Sequence, residues 1–326
     1  MKYRILQMIR DAKSHISGEE ISRQVGVTRA MIWKSVKALR KEGYDIAAVR
    51  GMGYHMDAEV DVLNKHEIGK GLFGADVIYF KELGSTNTYL KEQASQGPVP
   101  EGTCVICGYQ TKGRGRMGRE WFSQDSKNIS MSLLLRPDIP PFMAPAFSIF
   151  AGVCIYEVLN GYVDGNIRIK WPNDILIKNK KVCGILTEMV SEQDRTEYIV
   201  IGIGINICGS AKSMPPEIRT IATTLESEAR KPAIRIRRAD IIKEIIERFE
   251  EYYPENKKGV TEQIFDKWKR YSDAIGRKIE YYIDSRARIG EIADIDKSGA
   301  LLVTCGGKIE TVHAGMIFEL ERSDGG

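Results

Sequence analysis

Three arginines and three glycines share the seven residues Gly113-Arg114-Gly115-Arg116-Met117-Gly118-Arg119. A guanidinium is a planar fork of donors that fits phosphate or carboxylate. Glycine lets a backbone reach strained conformations and approach a ligand closely. The stretch therefore reads as a loop that closes over an anion, with Gln110 as a polar handle before it and Trp121 as an aromatic wall after it. Gly113, Gly115 and Gly118 also satisfy G-x-G-x-x-G, which binds a dinucleotide only between a strand and a helix. The alternating apolar run 103–109 supplies a strand, but residues 119–125 have no apolar face at helical spacing. No ribose-binding acid stands about 20 residues on, and no Gly-Lys-Ser/Thr makes a phosphate-binding P-loop. The anion-binding loop is preferred to both, and to a solvated basic loop.

Other runs carry polar groups where chemistry needs them. Ser85-Thr86-Asn87 follows a strand over 77–80 and opens a helix over about 86–96. One such residue caps the helix; three together also suit a small polar ligand. Strands over 128–136 and 167–170 flank an apolar helix over 142–161. Lys170-Trp171-Pro172-Asn173-Asp174 follows, where the proline breaks the run and leaves Asn173 and Asp174 in a turn. Lys180-Lys181 then enters the buried strand Val182-Cys183-Gly184-Ile185-Leu186. Gly202 and Gly204, inside the apolar strand 198–206, imply close approach by a ligand or another backbone.

The charge that would steer a second function sits at the N-terminus. Residues 1–60 hold 11 Lys and Arg against 7 Asp and Glu, while the rest hold 37 of each. The whole net charge of +4 is thus confined to a small module, as in a nucleic-acid-binding domain fused to a neutral body. Ile5, Leu6 and Ile9 mark one helix. Ser17-Gly18-Glu19-Glu20 has the form of a capping box for a second that stops at Gly26. Thr28 caps a third, with Ile32, Val36 and Leu39 inward. This is a helix-turn-helix over about 18–37, and residues 44–49, a turn at Arg50-Gly51-Met52-Gly53 and residues 54–56 form a wing. Ser17, Thr28, Arg29, Trp33, Lys34, Lys37 and Arg50 are the candidate DNA contacts, with Arg40 and Lys41 on the same face. One recognition helix per chain points to a homodimer on a two-fold operator.

Composition excludes other classes. Apolar residues make up 43% and charged residues 28%, as in a globular protein. No window approaches 18 uncharged apolar residues, and charges interrupt the N-terminal run, so neither a membrane partner nor a signal peptide is expected. The cysteines at 104, 107, 154, 183, 208 and 305 suggest no disulfide framework or zinc site; all six read as buried and reduced, as in the cytoplasm.

Taken in order, Ser85-Thr86-Asn87, Gln110, the arginine-glycine loop, the Lys170–Asp174 run, Lys181 with Gly184-Ile185-Leu186, and Gly202–Asn206 resemble the biotin protein ligases. With the N-terminal module, nearly the whole chain resembles their bifunctional subtype, which is also the biotin operon repressor. One departure is Met117, where many members carry another basic residue. The resemblance implies a multidomain α+β fold: a winged helix-turn-helix over 1–62, a class II synthetase-like biotin/lipoate ligase domain over 63–272, and an SH3-like β-barrel over 273–326. Four short strands separated by turns at Lys297-Ser298-Gly299 and Gly306-Gly307 agree with the last.

The reaction so implied is ATP-dependent. Biotin and ATP give biotinoyl-5′-AMP and pyrophosphate, and a lysine of a biotin carboxyl carrier protein, such as that of acetyl-CoA carboxylase, then takes the biotinoyl group. Ser85, Thr86, Asn87, Gln110, Arg114, Gly115, Arg116, Lys181 and Gly184 would hold biotin. Arg116, Arg119, Trp121, Lys170, Asn173, Lys181 and Asn206 would hold the nucleotide. Arg114, Arg116, Arg119, Lys181 and Asp174 would carry the chemistry, and Asp174 could hold Mg2+. Biotinoyl-AMP would also be the corepressor. With His15, His55, His66 and His313 the only histidines, histidine catalysis is not expected. The rival functions are a ligand-sensing repressor without catalysis and a lipoate ligase; Lys181, Asp174 and the arginine loop speak against the first, the loop and the winged helix against the second.

Overall fold

The computed structural model describes residues 1–12, 14–56, 60–122, 127–209, 214–230, 236–283, 286–313 and 317–319. The chain divides into two compact units: Met1–Ile68 with Arg237–Ala239, and Gly69–Ile236 with Asp240–Gly326.

In the first unit, α1 (Lys2–Asp11), α2 (Gly18–Val25) and α3 (Arg29–Lys41) precede a hairpin of β1 (Ala47–Val49) and β2 (Gly53–His55) and a short α4 (Lys65–Ile68). The helix boundaries follow the sequence chemistry. Ser17 Oγ accepts the Glu20 amide at 3.1 Å, and Thr28 Oγ1 accepts that of Met31 at 3.3 Å. Gly26 ends α2 at φ 74°, where a side chain would be strained. Ile5, Leu6, Ile9, Ile21, Ile32, Val36 and Leu39 are all buried in one core. The wing strand is shorter than its alternation suggests, because Tyr44 and Ile46 turn into that core instead. Gly53 is obligatory there. Its φ is 108°, and a Cβ would stand 2.1 Å from the Ile16 carbonyl. The glycine lets Tyr54 exchange two backbone bonds, 2.8 and 2.9 Å long, with Ile16.

The second unit is built on β3 (Val77–Leu83), α5 (Thr86–Gln96), β4 (Cys104–Gln110), β5 (Ile129–Leu135), α6 (Ala146–Asn160), β6 (Ile167–Lys170), β7 (Asp174–Ile177), β8 (Lys180–Glu192) and β9 (Arg195–Ile205). Short α7 (Pro216–Arg219) and α8 (Leu225–Glu228) follow, then α9 (Arg238–Asn256), whose body from Asp240 belongs here, and α10 (Glu262–Ser272). The strands form one sheet in the order β3-β4-β5-β9-β8-β7-β6, with β3 and β4 parallel and the other pairs antiparallel. Helix α6 is apolar all round because it is buried almost all round. The segment Pro141–Asn160, with mean hydropathy 1.8, is long and apolar enough to cross a membrane by length and composition. Every 18-residue window of it contains Glu157, and 67% of the window is buried within the protein, as befits a core helix. Phe150 of α6 meets Phe249 of α9 edge to face at 5.2 Å, and burying each such side chain contributes about 1.5–3 kcal/mol. Glu157 of α6 ties the layer together, accepting from Tyr252 (2.8 Å), Lys267 (2.8 Å) and Tyr271 (2.9 Å).

The C-terminal segment adds β10 (Lys278–Ile283), β11 (Arg286–Ile295), β12 (Leu301–Cys305), β13 (Lys308–Val312) and β14 (Ile317–Glu319), a strand-rich antiparallel sheet in the order β13-β12-β11-β10-β14. Four of these strands are predicted from the sequence. β14, α4, α7 and α8 are not, since three or four residues carry no readable period. The expectation of six buried cysteines is also corrected: all are free thiols, but Cys208 and Cys305 are partly exposed.

Candidate functional site

The chemistry of the arginine loop depends on how its backbone is held. The Gly115 amide donates to the Arg119 carbonyl at 2.7 Å, and the Trp121 amide to the Gly113 carbonyl at 3.0 Å. Between them Arg116–Gly118 make a 3-10 turn with left-handed φ at Met117 (55°) and Gly118 (72°). A Cβ on Gly113 would stand 2.7 Å from the Trp121 carbonyl. The result is a closed tongue that displays its cations. Arg114 and Arg119 are exposed and Arg116 is half-buried. Arg114 donates to Thr88 Oγ1 at 3.1 Å, and Arg116 to Asn173 Oδ1 at 3.4 Å. Burial lowers the Arg116 pKa from its ordinary value, and the Asp174 carboxylate acts against that.

Opposite the tongue, the sheet presents a polar floor. Ser85 caps α5 by accepting the Thr88 amide at 3.4 Å. The Thr86 amide donates to Gln110 Oε1 at 2.8 Å. Ser132 Oγ, from β5, lies 2.6 Å from both Thr86 Oγ1 and Asn87 Oδ1. Asn87 Nδ2 donates to the Leu186 carbonyl at 3.1 Å and to Glu188 Oε2 at 2.8 Å on β8, and Glu188 pairs in turn with Lys91. The strand glycines, which line the cavity, make room for side chains. A Cβ on Gly202 would stand 2.3 Å from Asn87 Oδ1, and one on Gly204 2.4 Å from the Trp121 ring. Trp121 thus lies on the sheet at Gly204 and Gly184, with Lys181 Nζ 5.6 Å from its ring centre. Its indole N–H is buried and has no hydrogen-bond partner among the described residues.

The third wall comes from the β6–β7 turn, across a cis Trp171–Pro172 peptide. Asn173 is pinned by both its side chain (Nδ2 to the Ile185 carbonyl, 2.7 Å) and its own carbonyl (from the Ile185 amide, 2.9 Å). Asp174 Oδ1 pairs with Lys181 Nζ at 2.6 Å. Trp171 Nε1 donates to the Gly299 carbonyl at 2.9 Å, fastening this turn to the C-terminal sheet. Together these walls enclose a cavity of about 470 Å³. Every residue marked in the sequence for ligand, nucleotide or chemistry lines it, Lys170, Gly184 and Asn206 included. Asn206 Oδ1 accepts from Asn128 at 3.4 Å. Ser132 and Glu188 escaped the sequence reading because a lone Ser or Glu in a strand carries no signal. So did the apolar wall of Ile218, Ile221 and Ala222, which is carried to the cavity by backbone bonds between 221–223 and Lys181.

In the other unit, α3 keeps Arg29, Trp33, Lys34, Lys37 and Lys41 exposed on the face opposite its core residues, and Arg50 is exposed at the wing tip. Arg40 also serves the fold, donating to the Ile46 carbonyl at 2.7 Å. Ser17 and Thr28 are helix caps at the solvent edge.

Residues 2–55 match the HTH domain model, and residues 79–206 match the Biotin/lipoate A/B protein ligase family. Over 92% of both chains the sequence is 38% identical to the bifunctional ligase/repressor BirA of Bacillus subtilis. The chain belongs to the bifunctional biotin ligase/repressor family. It is also 30% identical to the Escherichia coli BirA over 96% of this chain and 95% of that one. The chain also resembles the biotin protein ligase of Aquifex aeolicus solved with biotin and ATP, with a TM-score of 0.62 and 26% identity over 75% of this chain and 99% of that one. The protein is thus a biotin–protein ligase with a DNA-binding module of repressor type.

Proposed function

We propose that the cavity makes biotinoyl-5′-AMP from biotin and ATP and hands the biotinoyl group to a lysine of a biotin carboxyl carrier protein. In the first step a biotin carboxylate oxygen attacks the α-phosphorus and pyrophosphate leaves. In the second the lysine amine attacks the acyl carbon, an amide forms, and AMP leaves with its oxygen. The supporting observation is the convergence of the marked residues on one cavity, whose volume falls in the range of about 300–1,000 Å³ typical of ligand sites.

Bringing a carboxylate onto a polyanion demands positive charge fixed in advance, with little covalent chemistry from the protein. Arg116, steadied by Asn173, and Lys181, paired with Asp174, both line the cavity and would serve the carboxylate and the α-phosphate. Arg114 and Arg119, exposed on the tongue, would close over the phosphates and keep water from the anhydride. The polar floor of Ser85, Thr86, Asn87 and Gln110 would hold the ureido ring. The Trp121 indole would lie against the ligand. Asp174 becomes available to the incoming amine when Lys181 turns to the ligand.

Mg2+, when bound, supplies charge neutralisation on the phosphates. Among the described residues no group of three or more His, Cys, Asp or Glu side chains gathers. One carboxylate, Asp174, suits a magnesium carried by the nucleotide.

As repressor, the protein would bind operator DNA as a homodimer through α3 and the wing, in the cytoplasm, with biotinoyl-AMP as corepressor. Biotin-dependent ATP–pyrophosphate exchange by the purified protein tests the ligase reading. Exchange driven by lipoate and not by biotin would overturn it. Operator binding that tightens with biotin and ATP together tests the repressor reading.

A further inference from the structure

The floor of the cavity has a direction that follows from counting hydrogens. Asn87 spends both amide hydrogens on β8, on the Leu186 carbonyl and Glu188 Oε2, so its oxygen must face Ser132. An amide oxygen cannot donate, so the single Ser132 hydrogen goes to it. Ser132 and Thr86 then stand 2.6 Å apart with one hydrogen left between them, that of Thr86. Gln110 Oε1, 3.2 Å from the Thr86 hydroxyl, is its second and longer acceptor and also takes the Thr86 amide at 2.8 Å, so the Thr86 hydrogen is held on the protein side by Ser132 and Gln110. Ser132 is fully buried and Thr86 and Asn87 are 3% exposed, so the bonds among them are shielded from bulk solvent.

We propose that Ser132, Asn87 and Glu188 are positioning residues that fix the Thr86 hydroxyl as an acceptor toward the cavity, so that the ligand must present an N–H there. The inference rests on the reading that this cavity holds biotin. A cyclic urea has N–H groups to offer; the dithiolane ring of lipoate has none. A buried acceptor left without a donor strongly disfavours the wrong ligand. Gly202 belongs to the same device, because any side chain there would strike the Asn87 oxygen. Glu188 anchors the chain of bonds. Burial alone would raise its carboxyl pKa, but the bonds from Lys91 and Asn87 outweigh burial and keep it ionised.

The test compares biotin with its two cyclic carbamate analogues, in which one urea N–H is replaced by oxygen, by calorimetric titration of the full chain. Wild type should prefer biotin over at least one carbamate by about tenfold or more. In Ser132→Ala the Thr86 hydrogen loses its nearer acceptor and divides between the longer bond to Gln110 and the cavity, so that preference should shrink by about threefold to tenfold. Glu188→Ala, which leaves Ser132 in place, should shrink it by roughly threefold and remains readable should Ser132→Ala fold poorly. A purely packing role would weaken urea and carbamate alike, and an unchanged ratio in both variants overturns the proposal. Wild type that binds no biotin at all would instead overturn the ligand reading beneath it.

Discussion

The arginine tongue and the floor beneath it are built on opposite terms. The tongue exposes Arg114 and Arg119, and its arginine side chains make hydrogen bonds of 3.1 and 3.4 Å. On the floor, Thr86, Asn87 and Ser132 are nearly inaccessible, and Ser132 Oγ lies 2.6 Å from both Thr86 Oγ1 and Asn87 Oδ1. A site that must admit a polyanion and then seal needs donors that can move to it. A site that must tell one ring from another needs donors and acceptors that cannot turn. The same cavity thus separates the handling of charge from the recognition of shape, and damage to the two regions should look different.

Arg116→Ala attacks the tongue and should give the largest effect. Biotin-dependent pyrophosphate exchange should fall by about 10²–10³-fold, while the melting temperature shifts little, because a half-buried arginine with one long bond contributes little to folding. A comparable loss of stability would show that the tongue is structural after all.

Gly204→Val attacks the floor and should do both kinds of damage. The new side chain overlaps the Trp121 ring, so exchange should drop, and overpacking should cost about 1–3 kcal/mol in urea unfolding. Full activity would mean that the indole position is irrelevant to the ligand.

The DNA-binding unit repeats the contrast on a smaller scale. Glu67 is 5% exposed and accepts from Arg10 (2.8 Å), Tyr44 (2.7 Å) and Arg237 (2.9 Å). Burial alone would raise its pKa, but these bonds outweigh it and hold the carboxyl below its ordinary value. A depressed pKa means the unfolded chain takes up the proton first. The stabilisation is present above the ordinary carboxylate range and is lost as pH falls through the lower folded value. Thermal melts from neutral to acid pH should therefore show a steeper decline for wild type than for Glu67→Gln; parallel curves would remove Glu67 from the account.

The smallest effect belongs to the displayed cations of α3. Lys34→Ala should weaken operator binding a fewfold and lower the slope of log affinity against log salt by about 1. An unchanged slope would place Lys34 off the phosphate backbone.

Much of this was legible in the sequence. Caps at Ser17 and Thr28, the helix stop at Gly26 and the inward faces of α1–α3 are local matters, decided within one or two turns by side chains that reach their own backbone. The same holds for the strands around Ser85 and Asn173, where proline and helix-start chemistry mark the breaks. The glycines of β9 show where local reading stops. Their pattern revealed that something comes close, but Asn87 and Trp121 arrive from 115 and 83 residues away along the chain. By itself the sequence determined the family, the helix ends and the set of residues worth watching, because those rest on residue type and short spacing. Only the tertiary structure decided that Ser132 and Glu188 join the site and which way its hydrogens run, because a hydrogen bond's direction is set by partners on other strands.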